Sequence, residues 1–265
     1  MILNAIHWDG NPAIFSIFGH EVRYYGLMFA FAFMAGYMIM KKYYTLDKLQ
    51  ESLLEKLTMY VFFGTLVGAR LGHCLFYQPE HYLANPIEII YIWEGGLASH
   101  GAAVGILVAL WMYARKINVS YLWILDRVVI VVALGGFFIR MGNFFNSEIY
   151  GIETSLPWGV IFHRVGETMP KHPTQIYEAL SYLLIFIGLH FYFLKIRLQN
   201  LNGRIFGIFL ILLFSARFFI EFIKEEQVTF EKGMTLNMGQ WLSMPFIIAG
   251  IYFLYASFKK ELKNK

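Results

Sequence analysis

Seven long apolar runs, strung along 265 residues, constrain this chain more than any other feature. They cover about 24–40, 59–77, 97–114, 121–139, 175–194, 205–223 and 239–258. A helix needs roughly 20 apolar residues to cross the hydrocarbon core of a bilayer, where only an internally hydrogen-bonded backbone is tolerated. Each run has about that length. The sequence therefore predicts an all-α membrane protein, a bundle of seven transmembrane helices. It would form a single polytopic domain over 1–265, with an outer polar segment at 140–172. Composition agrees. Charged residues make up 15% and apolar ones 58%, against about 25% charged in an ordinary soluble domain. A water-soluble globule of this size would lack the polar surface to cover such side chains, which excludes an ordinary cytosolic enzyme. A disordered chain is excluded on the same ground.

Basic residues give an orientation. Thirteen, among them Lys41, Lys42, Arg115, Lys116, Lys195, Arg197, Lys259, Lys260 and Lys265, follow the first, third and fifth runs or lie in the tail. Five, namely Arg23, Arg164, Lys171, Lys224 and Lys232, fall on the other side. The positive-inside tendency places the N-terminus outside and the C-terminus in the cytoplasm, as an odd number of spans requires. The net charge of +4 belongs to this pattern, so no nucleic-acid partner is expected. The opening MILNAIHWDGNP has neither a basic region nor a small-residue cleavage site, so no removable signal peptide is expected. Cys74 is the single cysteine and forms no internal disulfide.

A charged side chain in hydrocarbon costs roughly 3 kcal/mol or more, and so usually has a partner and a task. The polar residues in or beside the runs are Tyr25, Arg70, His100, Arg140, Asn143, Asn146, Glu148, His172, Gln175, Tyr177, Glu178, Arg217 and Glu221. With the orientation above, all of them fall at outer helix ends. The expectation is a polar, cationic site in the outer leaflet, drawn from six helices. Three arginines without a carboxylate for each point to an anion, and the guanidinium fork suits phosphate. At that depth the abundant phosphates are phospholipid head groups. His100 can be neutral near pH 7 and act as a general base. Glu221 lies four residues after Arg217, on the same helical face, and can hold its guanidinium. Gly95, Gly96, Gly101 and Gly105 allow close helix approach and room for a ligand.

Singly, these residues have plainer readings. His100 could be a helix-start histidine, Arg217–Glu221 a structural ion pair, Tyr25 an interface tyrosine, and Arg70 a packing residue in Gly-x-Arg-x-Gly. The joint pattern favours a site. A seven-helix transporter or receptor for an anionic solute is the alternative. It would need broken helices and a polar path to both faces, and the inner side offers little beyond Asp126 and Arg127.

These segments resemble the phosphatidylglycerol–prolipoprotein diacylglyceryl transferases of bacteria. Their signature Gly-Arg-x-Gly/Ala-Asn-Phe-x-Asn-x-Glu-x-x-Gly matches Arg140, Gly142, Asn143, Phe144, Asn146, Glu148 and Gly151, with Ile139 in place of the first Gly. RYYGLM at Arg23–Met28, GARLGHCLFY at Gly68–Tyr77, EGGLASHGA around His100, HPTQIYEA, RFFIEFIKE and MGQWLSMP follow in the family's order. Lys224 stands where an Arg is common. The resemblance implies transfer of a diacylglyceryl group from phosphatidylglycerol to the lipobox cysteine of a prolipoprotein signal peptide. A thioether forms and glycerol 1-phosphate leaves.

It further implies catalytic roles for His100, Arg140 and Arg217. Substrate contacts would come from Tyr25, Asn143, Asn146, Glu148, Gly151, Arg140 and Glu221, with support from Arg70, His172, Gln175 and Glu178. No metal or cofactor is expected. Membrane lipids are the other partners, and the bacterial inner membrane is the expected location, with the active site toward the outer leaflet.

Overall fold

The computed structural model describes residues 5–17, 20–92, 95–199, 201–225 and 234–263. Lys232 and Lys265 of the charge pattern, and Glu94 of the histidine motif, lie outside the described residues. The elements run in the order β1 (Ile6–Trp8), β2 (Ala13–Ile17), β3 (His20–Arg23), α1 (Tyr24–Leu46), α2 (Glu51–Phe76), α3 (Pro79–Ala84), α4 (Ser99–Lys116), α5 (Tyr121–Phe145), β4 (Val160–Phe162), α6 (Thr174–Ile196), α7 (Arg204–Ile220) and α8 (Met238–Lys263). Short 3-10 turns occupy Pro86–Ile90, His163–Val165 and Glu221–Ile223.

The protein is helical, and each of the seven apolar runs falls mostly in one of these helices, with Tyr77, Leu97, Ala98 and 221–223 outside them. Among the described residues five are long and apolar enough to cross a membrane: Glu51–Phe76, Tyr121–Phe145, Thr174–Ile196, Arg204–Ile223 and Met238–Leu262. α1 and α4 stand outside that set. Tyr24, Tyr25, Gly26 and Tyr37 dilute α1, and α4 spends four of its 18 residues on Ser99, His100, Arg115 and Lys116. α5 continues past Ile139 to Phe145. Arg140 and Asn143 therefore ride on its last turns, not in the connection expected from 140. Trp8 packs on Phe144 at a centroid distance of 4.6 Å, and Tyr24 stacks on Phe145 at 4.7 Å, which gives that extra helix a surface to bury.

The chain forms two compact units, Met40–Leu125 and Met1–Ile39 with Asp126–Lys265. In the first, α2 and α4 meet glycine to glycine. A Cβ on Gly105 would lie 2.0 Å from the Gly64 carbonyl, and one on Gly101 would lie 2.2 Å from the Gly68 carbonyl. Gly72 meets the Gly101 Cα in the same way, so three glycines at every fourth position on α2 interleave with two on α4. In lipid, where helices gain little from burying apolar surface against each other, such close backbone contact supplies the packing energy. The Ala98 N–H donates to Ala69 O at 2.9 Å and pins the start of α4 to α2. At the other end the Tyr113 hydroxyl donates to Leu53 O at 2.9 Å and accepts from Tyr44 at 2.9 Å.

In the second unit Asp126 accepts from Gly203 N at 2.6 Å and Phe206 N at 2.8 Å, which satisfies donors at the N-terminus of α7. Arg204 reaches Glu261 at 2.8 Å and Ser257 at 3.1 Å, tying α7 to the end of α8. The strands are additions to the all-α expectation. β1 pairs parallel with β4 in the register Ile6↔Val160 and Trp8↔Phe162, and β2 with β3 forms an antiparallel hairpin. Strands of three to five residues offer too few alternations to read from sequence.

Candidate active site

The last turns of α5 and the first turns of α6 bring together a buried ionic network. Arg140 Nε lies 2.6 Å from Glu178 Oε2, whose side chain is wholly buried. The two are matched by charge rather than by hydrogen-bond alignment. Glu178 Oε1 accepts from Lys224 Nζ at 3.3 Å, and the same ammonium reaches Glu221 Oε2 at 3.2 Å. The Tyr182 hydroxyl, one turn beyond Glu178, also hydrogen-bonds Arg140. Arg140 Nη1 donates to Asn143 Oδ1 at 3.1 Å. Asn143 Nδ2 and Asn146 Nδ2 then donate to the two oxygens of Glu148, at 3.3 and 3.1 Å. The Tyr25 ring packs on Gly142, where an added Cβ would come within 2.9 Å. Tyr25 is close enough to Glu148 and Arg140 to feel both charges.

Arg217 ends α7, also within electrostatic reach of Tyr182. Among the described residues it has no carboxylate at ion-pair distance. Glu221 turns to Lys224 instead, because α7 ends at Ile220 and residues Glu221–Ile223 wind as a 3-10 turn, in which i and i+3 eclipse. The expected Arg217–Glu221 face match assumed an unbroken α-helix. The cluster thus sets Arg140, Lys224 and the part-buried Arg217 against the buried carboxylates Glu178 and Glu221, with the exposed Glu148 at its edge.

The loop after α5 is held from α6. Ser147 and Ile149 both sit at φ 57, the left-handed region that residues with a Cβ seldom adopt. Gln175 Nε2 donates to Glu148 O at 2.6 Å and Thr174 Oγ1 to Ile149 O at 2.9 Å, fixing those turns. Gly151 has no room for a side chain: a Cβ would lie 2.2 Å from Ile223 O and 2.8 Å from His172 Cβ. Its N–H donates to His172 O at 2.8 Å. Gly151 therefore serves by letting three segments touch. His172 meets the Tyr177 hydroxyl at 3.2 Å, which in turn accepts from Trp158 Nε1 at 2.8 Å. Burial pulls the His172 imidazole below its ordinary value. Asn146 Oδ1 and Ser147 Oγ are buried with no hydrogen-bond partner among the described residues.

His100 and Arg70 belong to the other unit. His100 stands on the first turn of α4, exposed, and lines an open cavity of about 1020 Å³ between α2 and α4. The other lining is almost wholly apolar, including Met59, Phe63, Val67, Leu71, Val104 and Met112. Arg70 does not face that cavity with free donors. Its Nη2 donates to Glu88 O at 2.6 Å, its Nε to Ile89 O at 2.9 Å, and its Nη1 to Gly95 O at 2.7 Å. It also lies over the Tyr82 ring at 5.0 Å. The segment before His100 is thereby tied to α2.

Sequence reasoning left Lys224 and Tyr182 out of the site. Tyr182 was within reach, four residues after Glu178 on one helical face. Lys224 was counted as an outer-side cation and noted at a motif position where Arg is common, but it was given no role in the site.

A family model described as prolipoprotein diacylglyceryl transferase matches residues 12–256. Similar proteins include the phosphatidylglycerol–prolipoprotein diacylglyceryl transferase of Tolumonas auensis, 45% identical over 97% of this chain and 100% of that one. Those of Bacteroides fragilis (41%, 98% of each chain) and Porphyromonas gingivalis (45%, 98% of this chain and 97% of that one) carry the same name. With the match covering nearly all of the sequence, the chain belongs to the prolipoprotein diacylglyceryl transferase family.

Proposed function

We propose that the chain transfers the diacylglyceryl group of phosphatidylglycerol to the lipobox cysteine thiol of a prolipoprotein signal peptide. The family and the names of the relatives support the transferase and its two substrates. In the step itself, the cysteine sulfur attacks the carbon of the diacylglyceryl group that bears the phosphate oxygen. An S–C bond forms, the C–O bond breaks, and its electron pair stays on the oxygen of departing glycerol 1-phosphate. A free thiol is only about 3% ionised at pH 7, so a base helps. His100 takes the thiol proton or orients the thiol. Arg140 and Arg217 stabilise the charge that grows on the leaving phosphate, as fixed cations do best in a site with little water. Tyr25, Asn143, Asn146 and Ser147 offer hydrogen bonds to glycerol or phosphate oxygens. Glu148, Glu178 and Glu221 hold the cations and asparagines, and Gly151, His172 and Gln175 hold the loop. Protein cations suffice for the leaving group, so the reaction calls on no metal or cofactor.

The observation that carries this reading is the gathering of Arg140, Arg217 and Lys224 in one cluster, where Arg217 has no carboxylate at ion-pair distance among the described residues. The apolar cavity beside His100 suits acyl chains. We place the protein in the bacterial inner membrane, multi-pass with seven spans, N-terminus and site toward the outer leaflet, where donor lipid and signal peptide meet. The test uses purified protein in phosphatidylglycerol micelles with a lipobox peptide. A peptide gaining one diacylglyceryl mass, with glycerol phosphate released and with His100→Ala and Arg140→Ala strongly impaired, is the expected result. No thioether product from the wild type, where another family member makes it, would defeat the reading.

A further inference from the structure

We propose that Lys224 is a positioning residue of the transfer: it occupies one oxygen of Glu178, and so keeps Arg140 from closing a two-point grip on that carboxylate. The inference rests on the transferase reading above. The Lys224 side chain is 4% exposed and sits between two buried carboxylates, 3.3 Å from Glu178 Oε1 and 3.2 Å from Glu221 Oε2. Its backbone is fixed as well, bridging to Gly151 and donating to Glu221 O at 3.3 Å. Glu178 Oε2 lies 2.6 Å from Arg140 Nε, while Arg140 Nη1 donates to Asn143 and the Tyr182 hydroxyl takes a further hydrogen bond with the guanidinium. A carboxylate with both oxygens idle prefers to grip a guanidinium with two parallel contacts. Lys224 holds the second oxygen and prevents that grip. It also supplies the third cation of the cluster, without which the two carboxylates would cancel Arg140 and Arg217.

Lys224 touches no reacting atom. It acts through Glu178 on Arg140 and through the charge balance of the site. The phosphodiester of the donor carries one negative charge, and the departing glycerol phosphate acquires a second. A cation that sets the local balance therefore matters more as the bond breaks than when the lipid binds.

The experiment compares wild type, Lys224→Met, Lys224→Gln and Lys224→Arg in the micelle assay, with thermal unfolding of each. Wild-type turnover tests the transferase reading; the variants test Lys224. Lys224→Met and Lys224→Gln should lose at least about tenfold in kcat, with KM for phosphatidylglycerol within about threefold. Inhibition by added glycerol 1-phosphate should weaken by about tenfold in the same variants, because the dianion feels the lost charge most. Lys224→Arg should keep kcat within about threefold, since it restores the charge between the two carboxylates. Wild-type kcat in Lys224→Met would overturn the proposal. So would a shared loss in Lys224→Arg, or KM and product inhibition moving together. If both neutral variants fail to fold, Lys224 is structural only and the proposal falls.

Discussion

Arg140 turns its Nε toward Glu178 Oε2 at 2.6 Å, and that carboxylate has no exposure at all. A charge so buried is stable only while its partners remain. Glu178→Gln leaves Arg140 and Lys224 without the anion they share, and removing one partner of a buried pair costs about 3 kcal/mol or more. We expect a lower unfolding temperature and at least about a tenfold loss of turnover. Thermal unfolding in detergent and thioether formation check both. Unchanged stability would mean that water, not protein, compensates Arg140.

The same guanidinium also donates to Asn143 Oδ1 at 3.1 Å, which orients it on a second side. Arg140→Lys keeps the charge but loses the fork, so charge alone should not rescue it. We expect kcat to fall about 100-fold, the scale of one lost donor at a developing anion. Asn143→Ala, which frees the fork without removing it, should fall about tenfold. A lysine variant near wild-type rate would show that Arg140 is a point charge and that the fork is idle.

Gly151 offers a structural test at an expected substrate residue. An added Cβ would lie 2.2 Å from the Ile223 carbonyl, and a carbonyl in a hydrogen-bonded turn cannot move aside as a side-chain tip can. Gly151→Ala should destabilise by about 2 kcal/mol through overpacking. Its activity loss should follow the loosened loop at 146–152. Hydrogen exchange of the Ile152 amide, bonded to Ile223 O at 3.0 Å, reads that loop directly. Normal protection with lost turnover would instead assign Gly151 to the substrate.

What the sequence revealed and what it hid follow from the range of each interaction. The apolar runs are local, so all seven are visible, and each lies for most of its length in a helix. The polar residues at their ends were visible for the same reason. Partner choice was not. Arg140 finds Glu178 across two helices, and no spacing rule links positions on different elements. Arg70 spends its donors on the carbonyls of Glu88, Ile89 and Gly95, which every residue carries and no sequence pattern marks. Gly101 and Gly105 were visible as close-approach glycines, but the partners they meet, Gly64, Gly68 and Gly72 of α2, came only from the structure.

His172 gives the loop a dependence on pH. Burial holds its imidazole below the ordinary value of about 6.5. The unfolded chain therefore takes up the proton more readily than the folded one. The neutral ring contributes stability above about pH 6.5, and that contribution is lost as pH falls through the lowered value. We expect the unfolding temperature to drop between about pH 7 and pH 5, with a shallower drop in His172→Gln, which cannot titrate there. Parallel profiles for the two proteins would remove His172 as the cause.

Arg70 makes the last prediction, and it separates anchoring from catalysis. Its guanidinium is buried among carbonyl oxygens and has its planar donors aimed at both ends of the segment that leads into α4. One ammonium cannot span those positions, so Arg70→Lys should release the segment while preserving the charge. Hydrogen bonds from charged donors contribute about 1.5–3 kcal/mol each, and losing even one net bond lowers stability measurably. New protease cuts at 85–97 are the expected sign, together with reduced turnover, since His100 begins the helix that follows. Helix α2 and α4 should stay paired, because the glycine contacts between them do not involve Arg70. If Arg70→Lys keeps the wild-type cleavage pattern but loses turnover, the side chain acts on substrate, and its carbonyl contacts describe only the resting state.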